Sequence, residues 1–102
     1  MSRAIISLQT PLAVTPGLHE RRVGDKVFLL DAKSVMHALE NEVAVAIWDL
    51  VKDTSREELT PGAIVAEILT HFEVSQDRAQ EDVLEFVALL FARGIVIVKP
   101  SD

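Results

Sequence analysis

The hydrophobic residues of this chain change their period once, near residue 40, and that change divides it into a strand-forming half and a helix-forming half. Before it, residues 18–23 and 26–30 (KVFLL) flank Gly24-Asp25, and residues 34–39 (SVMHAL) follow the turn Asp31-Ala32-Lys33. Apolar and β-branched residues suit a half-covered pleated surface, and a Gly-Asp pair between two such runs marks a hairpin. The pattern predicts a three-stranded antiparallel meander. In its third strand Val35, His37 and Leu39 share one face and Ser34, Met36 and Ala38 the other, because side chains alternate along a strand. So small a sheet needs a layer packed on one face to be stable.

After residue 40 the spacing becomes three and four. Asn41 offers an N-cap, and Val43, Ala44, Ile47, Trp48 and Val51 form one apolar stripe, as expected of an amphipathic helix. Residues 52–59 (KDTSREEL) are polar and read as a connection. Thr60-Pro61 restarts a helix, since proline at the first helical position sacrifices no hydrogen bond. Its buried side is Ile64, Val65, Ile68, Leu69 and Phe72. Ser75 caps a third helix with the stripe Ala79, Val83, Phe86, Val87 and Leu90, and a second stripe of Leu84, Ala88 and Phe91. Gly94 closes it in the left-handed conformation, and residues 95–98 form a last strand. The predicted order is β-β-β-α-α-α-β, an α+β domain resembling a winged helix-turn-helix with the meander in front. Residues 1–17, punctuated by Pro11 and Pro16, are expected to be a flexible arm, with Ile5, Ile6 and Leu8 as an alternative edge strand. Residues 18–99 are expected to form one domain.

Composition sharpens this picture. At 102 residues and 49% hydrophobic content the chain suits a single packed core rather than a disordered segment. It has no cysteine, which removes disulfides, thiolate metal sites and cysteine nucleophiles. The N-terminus lacks the pattern of a signal peptide, and the longest apolar run, residues 86–92, is far shorter than a membrane span. A cytoplasmic location is expected. The net charge is −6, which opposes binding to phosphate backbones and anionic lipid surfaces.

Candidate chemistry is sparse. His19, His37 and His71 lie on different elements without metal-ligand spacing. No nucleophile elbow or phosphate loop is present. No metal, no cofactor and no catalytic residue is expected. A DNA-reading third helix would begin SQDRAQEDVLE, with four acids and one arginine, which suits neither phosphates nor base edges. The acids Asp77, Glu81, Asp82 and Glu85 instead form a solvated face or a rim for a basic partner. The third strand, at the sheet edge, offers free backbone groups for strand addition by a peptide or by a second copy, giving a homodimer.

Residues 27–98 resemble the PqqD family, the small peptide-binding proteins of pyrroloquinoline quinone biosynthesis, related to domains called RiPP recognition elements. The resemblance is carried by the Leu29-Leu30-Asp31 strand end, by Asn41, Glu42, Ala44, Ile47, Trp48 and Leu50, by the Asp82-Val83 pair, and by the Gly94-Ile95 close. Glu40 is one residue more than the family has between Leu39 and Asn41, and residues 52–60 depart from its shorter, glycine-containing connection. The resemblance implies a non-catalytic adaptor. It would capture the leader of a ribosomally made precursor peptide and present it to a modifying enzyme, possibly of the radical SAM type. It also implies where the leader lies: on the third strand, here Lys33, Ser34, Val35, Met36, His37, Ala38 and Leu39, facing Arg78, Asp82, Glu85 and Phe86. The alternative readings are a structural or regulatory subunit of a larger complex, or a winged-helix DNA-binding regulator.

Overall fold

The computed structural model describes residues 6–53 and 59–99. Its elements run β1 (Leu12–Val14), β2 (His19–Val23), β3 (Lys26–Leu30), β4 (Met36–Leu39), α1 (Glu42–Val51), α2 (Pro61–His71), α3 (Gln76–Ala92) and β5 (Val96–Val98). The expected meander is the sheet β2-β3-β4, antiparallel throughout, with β3 in the middle. Val23 pairs with Lys26 across the two-residue loop, and the positive φ that the tight hairpin requires falls on Gly24. Val27 and Leu29 of β3 are fully buried, and His37 and Leu39 of β4 are buried. The intervening Met36 and Ala38 face outward.

All three helices begin where the sequence places their caps. The side-chain oxygens of Asn41, Thr60 and Ser75 accept from the backbone N–H groups of Ala44, Ala63 and Arg78, relieving one orphan donor per helix. Ala44, Ile47, Trp48 and Val51 of α1 join Ile64, Val65 and Ile68 of α2 and Ala79, Val83, Val87 and Leu90 of α3 in one core. The end of α3 is a Schellman motif: Gly94 N–H donates to Phe91 and Ile95 N–H to Leu90, with Gly94 at φ +75°. Ile95 and Leu90 are both buried, completing the apolar contact of that motif.

The expectation of a flexible arm over residues 1–17 requires correction within its described part, residues 6–17. Leu12–Val14 is a strand, paired antiparallel with β5 through Leu12↔Val98, Ala13↔Ile97 and Val14↔Val96. Leu12 N–H also donates to Leu59 O, Thr15 N–H to Ile95 O, and Gly62 N–H to Leu8 O, each within 2.8–2.9 Å. The physical reason is that the three-residue closing strand needs a ladder partner, and among the described residues only this segment supplies it. Pro11 and Pro16 bracket β1 without interrupting it. The alternative edge strand at Ile5, Ile6 and Leu8 does not form at the last two, which pack on the core as irregular chain; Ile5 lies outside the described residues.

This strap predicts the behaviour of Gly62. A Cβ there would sit 2.9 Å from the backbone oxygen of Leu8. Alanine gains about 1 kcal/mol of helix propensity over glycine, but a backbone atom cannot move aside as a flexible side chain can. Gly62→Ala is expected to destabilise the domain by about 1–3 kcal/mol in urea unfolding and to speed proteolysis between Leu8 and Leu12. A more stable Gly62→Ala variant would show that the strap is not held there.

Candidate functional site

The site is built from the turn that launches β4. Ser34 N–H donates to Asp31 O, Asp31 N–H donates to Val35 O, and Ser34 takes φ +64°. This is a type I turn followed by a left-handed residue and a bulge. The strand expected to start at Ser34 therefore starts two residues later. The Asp31 carboxylate holds this turn together. Its Oδ1 accepts from Lys33 and Val35 N–H at 2.8 and 3.0 Å, and its Oδ2 lies 3.0 Å from His37 Nε2. The His37 ring is buried in the sheet's inner face.

The hydrogen bond from His37, with those from Val35 and Lys33, holds the Asp31 carboxyl below its ordinary value of 3.8. A depressed carboxyl contributes stability above the unfolded-state value and loses it as pH falls through the folded-state value. The β3–β4 turn is therefore expected to loosen below about pH 4, read as movement of the Lys33 and Val35 amide signals. Asp31→Asn should abolish that acid transition. If it persisted unchanged, another carboxyl would be responsible.

Sheet order leaves β4 with a neighbour on one side only among the described residues. Antiparallel ladders alternate, so the residues opposite Leu29 and Val27, which are His37 and Leu39, spend their backbone groups on β3. The N–H and C=O of Met36 and Ala38 point the other way, to the open edge. Val35 belongs to neither set, because its amide is taken by Asp31.

A cleft of about 660 Å³ opens between α1 and α3. Asn41, Val43, Ala44 and Ile47 line one wall, and Asp82, Glu85, Phe86, Ala88 and Leu89 the other. Asn41 is two residues beyond the end of β4, so the strand leads directly into the α1 wall of this cleft. Of the residues singled out from sequence, Asp82, Glu85 and Phe86 line it. Arg78 stands outside, its Nε 3.2 Å from Asp82 Oδ2. Lys33, Ser34 and Val35 belong to the turn, Met36 and Ala38 to the open edge, and His37 and Leu39 to the core. Val43, Ala44 and Ile47 of the α1 wall carry only a core-stripe pattern in the sequence, whereas Phe86, half-buried in the structure, stands both in that stripe and among the residues the resemblance places along the leader. The row Asp82, Glu85, Phe86, Leu89 carried the available signal, since it recurs at three- and four-residue spacing. The second stripe, Leu84, Ala88 and Phe91, contributes Ala88 alone.

The sheet is tied to α1 by a polar cluster. Trp48 Nε1 donates to Glu20 Oε1 at 2.8 Å, and Lys52 Nζ reaches the same oxygen at 2.9 Å. Arg22 bridges Glu20 and Asp49 at 3.3 and 2.7 Å. Burial opposes charge on Glu20, but the hydrogen bonds from Trp48, Lys52 and Arg22 outweigh it and hold the carboxyl below its ordinary value. The cluster fixes the angle between the sheet and the α1 wall. Among the described residues no group of His, Asp and Glu could hold a metal ion, and no helix is long and apolar enough to cross a membrane.

A helix-turn-helix of α2 and α3, packed beside a small antiparallel sheet whose outer strands are β2 and β4, defines a winged-helix-like α+β domain. Residues 26–96 match the family model described as Coenzyme PQQ synthesis protein D (PqqD), and the chain belongs to that family. Solved structures share the fold. TbiB1 in complex with the TbiA(beta) leader peptide matches with a TM-score of 0.73 at 20% identity, over 87% of this chain and 99% of that one. Lasso peptide synthetase B1 complexed with the leader peptide matches with a TM-score of 0.70 at 20% identity, over 84% and 96%. The heterocyclase TruD matches with a TM-score of 0.59 at 20% identity, over 85% of this chain but 11% of its own. A search of the curated proteins finds none similar in sequence.

Proposed function

We propose that this chain is a peptide-binding adaptor that captures the leader of a ribosomally made precursor peptide and presents it to a modifying enzyme. The observation that carries the reading is the open edge of β4, with the backbone groups of Met36 and Ala38 unspent, beside an apolar cleft. An extended peptide satisfies such an edge by adding a strand, with the backbone supplying affinity and the cleft selecting side chains. Family membership supports it, as do two structures of the same fold solved with leader peptides. In this reading Met36 and Ala38 pair with the leader, and Phe86, Asp82 and Glu85 line its path. Lys33, Ser34, Val35, His37 and Leu39 shape the strand, and Arg78 orients Asp82. The chain performs no chemistry itself, and its setting is the cytoplasm.

The partner enzyme acts on the captured precursor, and a radical SAM protein fits the family's association with coenzyme synthesis. The heterocyclase match supports an enzyme partner of some kind, because there a domain of this fold is one part of a much longer chain.

The test is titration of precursor peptides encoded beside the gene into isotopically labelled protein. Shifts confined to β4, the α1 N-terminus and the cleft face of α3 are expected. Shifts elsewhere, or none at all with every such peptide, would sink the reading. A stoichiometric protein partner recovered without peptide binding would replace it with that of a structural subunit.

A further inference from the structure

Along α3 the cleft wall is acidic at Asp82 and Glu85 and apolar from Phe86 to Leu89, and we infer that the segment it takes carries a lysine or arginine two positions from an apolar residue. This rests on strand addition to β4 as proposed above. Cleft-facing side chains of an added strand alternate, so successive ones stand about 7 Å apart. On α3, Glu85 and Leu89 are four residues apart, a rise of about 6 Å along the same helix face. A strand lying along α3 therefore offers one side chain to Phe86 and Leu89 and the next to Glu85 and Asp82.

Charge decides what that second side chain is. Asp82 shares its charge with Arg78 at 3.2 Å. Glu85 is exposed and makes no ion pair among the described residues. None of the described residues lining the cleft is basic, so a carboxylate arriving beside Glu85 meets its repulsion. The chain's net charge of −6 adds a long-range bias in the same direction. A cationic side chain fits doubly, since its aliphatic stem covers apolar surface while its head reaches the acids.

Random peptides displayed against the full chain, and separately against Glu85→Lys, give the test. Peptides that shift the Met36 and Ala38 amides of the wild-type protein should be enriched in Lys or Arg two positions from an apolar residue. Exchanging that base for Glu should weaken binding by roughly fivefold or more at low salt, and less at 1 M salt, where the screening length is about 3 Å. Glu85→Lys should reverse the preference, and Glu85→Gln should erase it. Peptides that shift those amides without preferring a base, or with a preference that Glu85→Lys leaves unmoved, would overturn the charge inference while strand addition stood. Peptides that bind without shifting those amides would overturn both.

Discussion

Proline in place of Ala38 is expected to weaken leader binding by about tenfold or more while the domain stays folded. Ala38 lies opposite Phe28 at a position where the strands exchange no hydrogen bonds. Its N–H therefore points to the open edge, and proline removes a donor that the fold does not use. Edge strands tolerate proline for this reason. A bound peptide loses that hydrogen bond, worth roughly 0.5–1.5 kcal/mol net, and meets the proline ring where it should approach the backbone. Met36→Pro should act the same way.

The neighbouring positions supply the contrast. His37→Pro removes an amide committed to β3, and Val35→Pro removes the amide that Asp31 Oδ1 accepts, so both should loosen the sheet itself. Calorimetric titration with unfolding curves on the same samples separates the cases. An Ala38→Pro protein that bound the leader like the wild type would refute strand addition at β4.

The second large effect falls on Trp48. The side chain is 3% exposed, and its removal leaves a cavity where the sheet meets α1. Trp48→Ala is expected to cost about 3–5 kcal/mol, a large part of the total for a domain whose stability is about 5–15 kcal/mol. Trp48→Phe keeps most of the ring volume but strips Glu20 of its indole donor, and should cost about 1–3 kcal/mol. Lys52 and Arg22 remain to partner Glu20, which keeps that loss small. Glu20→Ala leaves the buried indole N–H without its acceptor and should fall in the same range. Urea unfolding of the three variants tests the ordering. Equal losses in Trp48→Ala and Trp48→Phe would mean that the hydrogen bond, not the packing, dominates.

The Trp48 cluster also connects stability to function. Glu20 stands on the strand farthest from β4, yet through Trp48 and Lys52 it fixes how α1 meets the sheet. That angle sets the separation of the cleft's α1 wall from the β4 edge. Trp48→Phe should therefore weaken peptide binding slightly although Trp48 does not line the cleft.

Local physics is written in the sequence, and the elements it governs were legible there. Asn41, Thr60-Pro61 and Ser75 announce the helix starts because capping needs only a side chain and the next three residues. Gly24 and Gly94 announce a hairpin and a helix end because their backbone angles exclude most other residues. The apolar stripes of α1 and α2 identify most of the core, since a helix face is set by spacing alone.

What only the tertiary structure decided is non-local. Whether residues 12–14 are arm or strand depends on β5, more than eighty positions away, and no local pattern between two prolines encodes that pairing. Whether Phe86 is core or cleft depends on how far α1 stands from α3, because identical stripes can be sealed or left open. His37 turns inward because Asp31 waits beneath it, at the end of a turn whose bulge resets the register by one residue. That register, in turn, decides that Met36 and Ala38, rather than their neighbours, leave their backbone groups free. The sequence by itself determined the elements and the presence of an exposed strand. Packing between distant segments decided which amides are open and which walls face them, since ladder pairing and inter-helix spacing are properties of two segments at once.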